Sequence, residues 1–172
     1  MKILIDNKLL LSINILSVIM TTIMNELIQT NIDLCYELIP NFLIPVNLII
    51  IDVYISNKKF KALIDTGASS SILFKKTVDK CNLNYIVDIQ HNDNMITANG
   101  TVESKGYIWY IDININNFSI PCTFNIMDTI DNSKFDMILG LNFLVAHNIN
   151  IDFRNKVLIF NNNFSTSFNI NI

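Results

Sequence analysis

Hydrophobic and polar positions follow two rhythms along this chain, first helical and then strand-like. Residues 9–24 are strongly apolar, and Asn14, Ser17, Thr21, Asn25 and Gln29 recur at helical spacing, which predicts a helix with a narrow polar stripe and a wide apolar face. The helical pattern continues over 26–38. Pro40 and Pro45 then bracket a break, since proline cannot continue a helix and biases the residue before it towards extended backbone. From Val46 the runs at 46–55 and 60–64 are rich in Ile, Leu, Val and Tyr, and Ser56-Asn57-Lys58-Lys59 between them predicts a hairpin. A short strand over 70–74 and a short helix over 75–81 follow. In 107–115 the pattern places Trp109, Ile111, Ile113 and Ile115 on one face against Tyr110, Asp112 and Asn114, the period of a half-buried strand. Asn116-Asn117 turns the chain into 118–127, and after a polar loop come Met137-Ile138-Leu139-Gly140, a helix over 141–147 and extended runs at 150–153 and 156–160. The Asn/Ser/Phe mixture from Asn161 reads as a loose tail. Strands about every eight to twelve residues, with turn signals between them, predict an all-β, barrel-like domain over 45–160. An N-terminal helical segment over 1–44 precedes it and a C-terminal tail over 161–172 follows.

Composition narrows the function classes. With 172 residues, 51% of them hydrophobic, the chain fits one globular domain plus an appendage. A net charge of -3 offers none of the clustered cationic surface that nucleic acid requires. Cys35, Cys81 and Cys122 are odd in number without CxxC spacing, and His91 and His147 lie far apart, so neither a disulfide framework nor a zinc site is expected. The cysteines read as small core hydrophobes in a reducing, cytoplasmic compartment. Residues 9–24 follow Lys2 and Lys8 in the manner of a signal or anchor. Their uninterrupted apolar length falls short of the roughly 20 residues of a membrane span, and no small-residue cleavage site stands out. A docked or partner-binding amphipathic helix is the expectation, with membrane contact as its rival.

Candidate chemistry centres on Leu63-Ile64-Asp65-Thr66-Gly67-Ala68-Ser69. A single acid is delivered at the end of a strand by a turn of very small side chains, which is how a carboxylate reaches the floor of a cleft. Only four glycines occur, Gly67, Gly100, Gly106 and Gly140, so each marks a backbone need. Gly100 and Gly106 bracket 101–105 in a polar stretch, and Met95, Ile96, Thr97, Ala98, Asn99 and Gly100 form a candidate flap, a mobile hairpin over the cleft. Composition alone reads the same stretch as an ordinary surface hairpin.

Together these residues resemble the retroviral-type, or retropepsin-like, aspartic proteases. Leu63-Ile64-Asp65-Thr66-Gly67-Ala68 matches their catalytic turn, and Ile138-Leu139-Gly140, about seventy residues later, matches the second element that braces it. Within that group the chain is similar to the protease domain of the DNA-damage-inducible protein one family of ubiquitin-linked shuttle factors. Phe60 through Ala68, Lys80-Cys81-Asn82-Leu83, Pro121-Cys122-Thr123-Phe124, Asp136 through Leu144, and His147 through Asp152 to Val157-Leu158-Ile159 carry the similarity, which covers 46–160. It implies an all-β half-barrel with one short C-terminal helix, preceded by an N-terminal helical segment. It further implies Asp65 as catalytic acid, Thr66, Gly67 and Ala68 as active-site turn, and Ile138, Leu139 and Gly140 as brace. No metal or cofactor is required. Two positions depart from the family pattern: Asn142 stands where an Asp is usual, and 92–99 lacks the glycines of the family's flap. The flanking ubiquitin-like and ubiquitin-associated domains do not fit in this length, so shuttle function is not carried over.

Aspartic proteolysis needs two carboxylates sharing one site, one protonated as acid and one ionised as base. One Asp-Thr-Gly per chain therefore implies a homodimer contributing Asp65 twice, with titration belonging to the pair. The expected activity is hydrolysis of peptide bonds in an extended protein or peptide substrate, linked to ubiquitin. The alternative is a non-catalytic dimeric adaptor of the ubiquitin pathway on the same fold. The remaining aspartates read as solvated or turn-forming, Trp109 as core or interface packing, and His147 as the end of its helix.

Overall fold

The computed structural model describes residues 7–39, 48–91, 94–97, 100–128, 134–161 and 164–168. Helix α1 (Asn7–Leu38) belongs to one compact unit and every strand to a second. Four of its polar side chains are satisfied within the helix: Thr21, Thr22 and Thr30 hydroxyls and the Asn31 amide donate to carbonyls four residues back. Ile15, Leu16, Ile19, Met20, Ile23 and Leu27 are exposed along it. Among the described residues no helix is long and apolar enough to cross a membrane.

The second unit is built on a closed barrel. Strands β1 (Ile50–Ile55) and β2 (Lys58–Ile64) form a hairpin whose turn is Ser56-Asn57, both at positive φ, so Lys58 and Lys59 already lie in the strand. A short strand β3 (Ile72–Phe74) leads into helix α2 (Lys75–Lys80) and a 3-10 turn at Asn84–Ile86. Strands β4 (Asn94–Thr97) and β5 (Gly100–Glu103) make a separate two-stranded sheet. The long hairpin of β6 (Tyr107–Ile115) and β7 (Phe118–Met127) turns at Asn116-Asn117, again at positive φ. Strand β8 (Met137–Leu139) is followed directly by helix α3 (Leu141–Ala146). The barrel order is β1-β2-β8-β3-β7-β6, closed where Tyr54 of β1 pairs with Asn114 of β6. The all-β half-barrel with short helices is thus the observed architecture, and apolar residues dominate its core: Val53, Ala62, Leu73, Val78, Ile108, Ile113, Phe124, Met137 and Leu139 are fully enclosed.

Two expectations are corrected. The stretch after Asn161 is not a loose tail in its described part. Strand β11 (Phe164–Ser167) pairs with β10 (Val157–Phe160), which pairs in turn with β9 (Ile149–Asp152). Phe164 stacks on Phe118 at 4.1 Å and Phe160 at 4.4 Å, and Phe168 is buried, so aromatic burial supplies what the polar composition concealed. Trp109 does not share the inward face with Ile113 and Ile115. Ile108 pairs with Phe124 but Ile111 with Cys122, so β6 carries one extra residue, a bulge that turns Ile108 inward and leaves Trp109 54% exposed.

Candidate active site

Asp65 follows β2 immediately, and β2 is held in register by β8 running parallel beside it: Ala62 opposite Met137, Leu63 opposite Ile138, Ile64 opposite Leu139. On its other side β8 pairs antiparallel with β3, so one three-residue strand lies between the two strands that flank the turn. The brace continues through backbone hydrogen bonds. The Asp65 amide donates to Leu139 O (3.1 Å), and the first amides of α3, Leu141 and Asn142, donate to Ala68 O (2.8 Å) and Ser69 O (3.2 Å). Amides that a helix start leaves orphaned are thereby satisfied by the turn itself. Gly140 is where the two elements touch. A Cβ there would lie 2.7 Å from both Ala68 O and Ser70 O, so only glycine permits the approach.

Within the turn, the Gly67 amide donates to Asp65 Oδ1 at 2.8 Å and fixes the carboxylate's orientation, while the Ala68 amide donates to Asp65 O at 3.3 Å. Asp65 and Ala68 are half-buried, Thr66 and Gly67 exposed. Beneath the turn, buried Ser71 donates its hydroxyl to Asn142 Oδ1 (2.8 Å) and accepts from the Gly140 amide (3.1 Å). The Asn142 amide in turn donates to Thr123 Oγ1 (3.2 Å). Asn142 therefore sits in a satisfied neutral network in which its acceptor and donor ends serve different partners. Asp136 adds a second clamp between β8 and β2, its Oδ2 accepting from the Lys61 amide (2.9 Å) while its own amide donates to Lys61 O (2.8 Å).

The candidate flap residues Met95, Ile96 and Thr97 lie on β4 and Gly100 opens β5 at φ +110°; Ala98 and Asn99 lie outside the described residues. Met95 and Val102 pack against a small cluster of Ile72, Phe74 and Met127, whereas Ile96 is 91% exposed. Between this hairpin and the residues after the turn lies a cavity of about 530 Å³, lined by Ser69, Ser70, His91, Met95, Tyr107 and Trp109 among others. Of these, Ser69 and Ser70 directly follow the candidate turn, and their position in sequence was the available signal. His91, Tyr107 and Trp109 carried none. The Trp109 indole N–H donates to Asp88 Oδ2 (3.0 Å) and the Gln90 amide to Asp88 Oδ1 (3.0 Å), and these two bonds hold the Asp88 carboxyl below the usual carboxylate range. Asp88 is thus a structural acceptor rather than a merely solvated group.

Other expectations fall on residues that are not in the cavity lining. His147 ends α3, with Nε2 2.8 Å from Pro121 O. Asp152 forms a turn by accepting from the Asn155 amide at 2.9 Å. All three cysteines are free thiols; Cys81 and Cys122 are buried, and burial pushes the Cys122 thiol up to about 12. Among the described residues no three of His, Cys, Asp or Glu converge in a way that would hold a metal ion.

A single acid on a doubly braced, small-residue turn beneath an open cavity is the arrangement that the comparisons with known proteins bear on. A family model described as aspartyl protease matches residues 40–152. The chain belongs to the aspartyl protease family. It is 29% identical over 129 residues to Protein DDI1 homolog 1 of Caenorhabditis elegans, a match covering 75% of this chain and 32% of that protein. To DNA damage-inducible protein 1 of Kluyveromyces lactis it is 30% identical over 122 residues, 71% of this chain and 28% of the relative. It thus spans about a third of the length of the curated relatives it matches. Its fold matches the crystal structure of the retroviral protease-like domain of Ddi1 from Leishmania major with a TM-score of 0.61 at 27% identity, covering 72% of this chain and 96% of that one.

Proposed function

We propose that this aspartyl protease family member is one half of a homodimeric aspartic endopeptidase. The observation that carries the reading is the Asp65 carboxylate, aimed by the Gly67 amide and set half-buried on a turn that β8 and α3 clamp from below. Such a carboxylate is positioned for chemistry but lacks the partner the reaction needs, and the chain contains no second Asp-Thr-Gly to supply one. A twofold axis beside the turn brings a second Asp65 to the first. The ionised member of the pair takes a proton from a bound water, which attacks the scissile carbonyl. The protonated member donates to the developing oxyanion, and the member that took the water's proton passes it to the leaving nitrogen as the C–N bond breaks. Thr66 locks the two turns across the axis, and the substrate lies extended between the floor and the β4–β5 hairpins acting as flaps. The similarity to the DNA-damage-inducible family supports ubiquitin-linked protein substrates in a reducing, cytoplasmic setting.

The test is cleavage of a peptide library and of polyubiquitin chains by wild type and Asp65→Asn, with sedimentation on both. Loss of cleavage in a variant that still sediments as a dimer supports the reading, and retained cleavage contradicts it. The apolar residues exposed along α1 favour a second reading, a dimeric adaptor without catalysis. That reading predicts partner binding by Asp65→Asn that is lost on truncating α1, with no cleavage by wild type.

A further inference from the structure

Trp109 is the chain's only tryptophan, and the fold holds it in the open. Three features do so. The bulge in β6 turns it out of the barrel. Its indole N–H is anchored on Asp88 at 3.0 Å, and Asp88 is itself pinned to β6 by paired backbone bonds with Tyr107 (2.8 and 2.9 Å). Gly106, at φ +130°, allows that pinning, because a Cβ there would lie 2.8 Å from Asp88 O and 2.7 Å from Val87 Cγ1. The ring then completes a cluster, edge-on to His91 at 4.6 Å between centroids and tilted on Tyr107 at 4.5 Å. This three-ring wall bounds the cavity of about 530 Å³ that Ser69 and Ser70 of the turn and Met95 and Ile96 of β4 close from the other sides. Among the described residues, no Lys, Arg, Asp or Glu lines the cavity.

We propose that this cavity is a specificity pocket for an aromatic side chain of the extended substrate, with Trp109, Tyr107 and His91 as specificity-determining residues and Asp88 as the positioning residue. The proposal rests on reading Asp65 as the catalytic carboxylate, since Ser69 and Ser70 tie the cavity to that turn. An incoming aromatic ring meets edge and face partners on the wall and the polarizable sulfur of Met95 opposite. A charged side chain is desolvated there against a described lining that carries no Lys, Arg, Asp or Glu, and a small one leaves the cavity unfilled. The volume lies in the range of ordinary ligand sites and accommodates a ring together with its main chain.

Because Trp109 is single, its fluorescence reports on this pocket without any turnover. Full-length Asp65→Asn protein is titrated with N-acetyl amides of Phe, Ala, Glu and Lys. The Phe amide is expected to shift the emission with an affinity about fivefold or more above that of the Ala amide, and the Glu and Lys amides to leave it unchanged. In parallel, positional peptide libraries are cleaved by wild type, Trp109→Ala, Trp109→Phe and Asp88→Ala. Wild type is expected to favour an aromatic residue over alanine at one position by about tenfold in kcat/KM. Trp109→Ala removes that preference, bringing aromatic and alanine peptides to within about twofold of each other in kcat/KM, Trp109→Phe restores part of it, and Asp88→Ala weakens it and red-shifts Trp109 emission. Equal fluorescence responses to the Phe and Ala amides, or an aromatic preference retained in Trp109→Ala, overturn the pocket. Cleavage with that retained preference leaves the catalytic reading intact. Conversely, binding of the Phe amide by a protein whose wild type cleaves nothing rejects the catalytic reading and leaves the pocket standing.

Discussion

The floor of the cleft and the hairpin opposite it are built on opposite terms. On the floor, backbone groups of the turn and its brace answer one another: Asp65 N to Leu139 O, Leu141 N to Ala68 O, Asn142 N to Ser69 O, Gly140 N to the buried Ser71 hydroxyl. The side chains are small, and the approach is so close that a methyl group at Gly140 has no room. Among the described residues, the β4–β5 hairpin carries its own two-stranded ladder, two half-buried anchors in Met95 and Val102, and Ile96 standing in solvent. The difference teaches where each kind of stability belongs. Reacting groups need a fixed frame, whereas a substrate chain can enter only past an element of low local stability.

If the contrast is real, substitutions on the two sides separate in kind. Gly140→Ala is expected to cost the most, about 3 kcal/mol or more, because its Cβ meets two backbone carbonyls that cannot move without opening the turn. Thermal unfolding measures it, and a change under 1 kcal/mol would show that the brace gives way easily. Asn142→Ala comes next, at about 1–2 kcal/mol in urea unfolding, since it strands the hydroxyl of Ser71. Asn142→Asp keeps the acceptor for Ser71, and Thr123 Oγ1 becomes a donor to it, so it stays within about 1 kcal/mol of wild type.

Much of this frame was legible in the sequence because it is local. The acid, the two glycines and the short apolar run before Gly140 each announce a backbone requirement within a few residues, and the β2–β8 pairing follows once both are seen. The wall of the cavity was not legible. A bulge shifts the side-chain period by one, so the alternation that correctly buries Ile113 and Ile115 assigns Trp109 to the wrong face. Asp88 reads as one more solvated acid until the fold brings Trp109 to it. Strand β11 failed for a related reason. Its residues are mostly polar, and the signal lies in the stacking of Phe164 on Phe118 and Phe160, contacts between segments distant in sequence.

Smaller effects sharpen the hairpin's side of the comparison. Ile96→Ala is expected to leave stability within about 0.5 kcal/mol while raising KM severalfold, the reverse of the Gly140 pattern. Steady-state kinetics beside thermal melts would separate the two, and a destabilised Ile96→Ala would mean the hairpin is packed more firmly than its exposure indicates. The smallest effect concerns pH. Asp88 is held below its ordinary value by the Trp109 and Gln90 N–H groups, so the stability it contributes is present above the unfolded carboxylate range and is lost as pH falls through the depressed folded value. Asp88→Asn should therefore flatten the acid limb of a stability–pH curve and leave neutral stability lower. An unchanged acid limb would remove Asp88 from the wall's support.

The central claim is that Asp65 does its chemistry only beside a second Asp65. Adding Asp65→Asn protein to a fixed amount of wild type, with time for subunits to exchange, tests this directly. Shared sites predict that peptide cleavage falls to about half at equimolar mixing and towards zero in excess, as wild-type chains are drawn into mixed dimers. Cleavage that stays constant however much Asp65→Asn is added would mean that one chain carries a complete site.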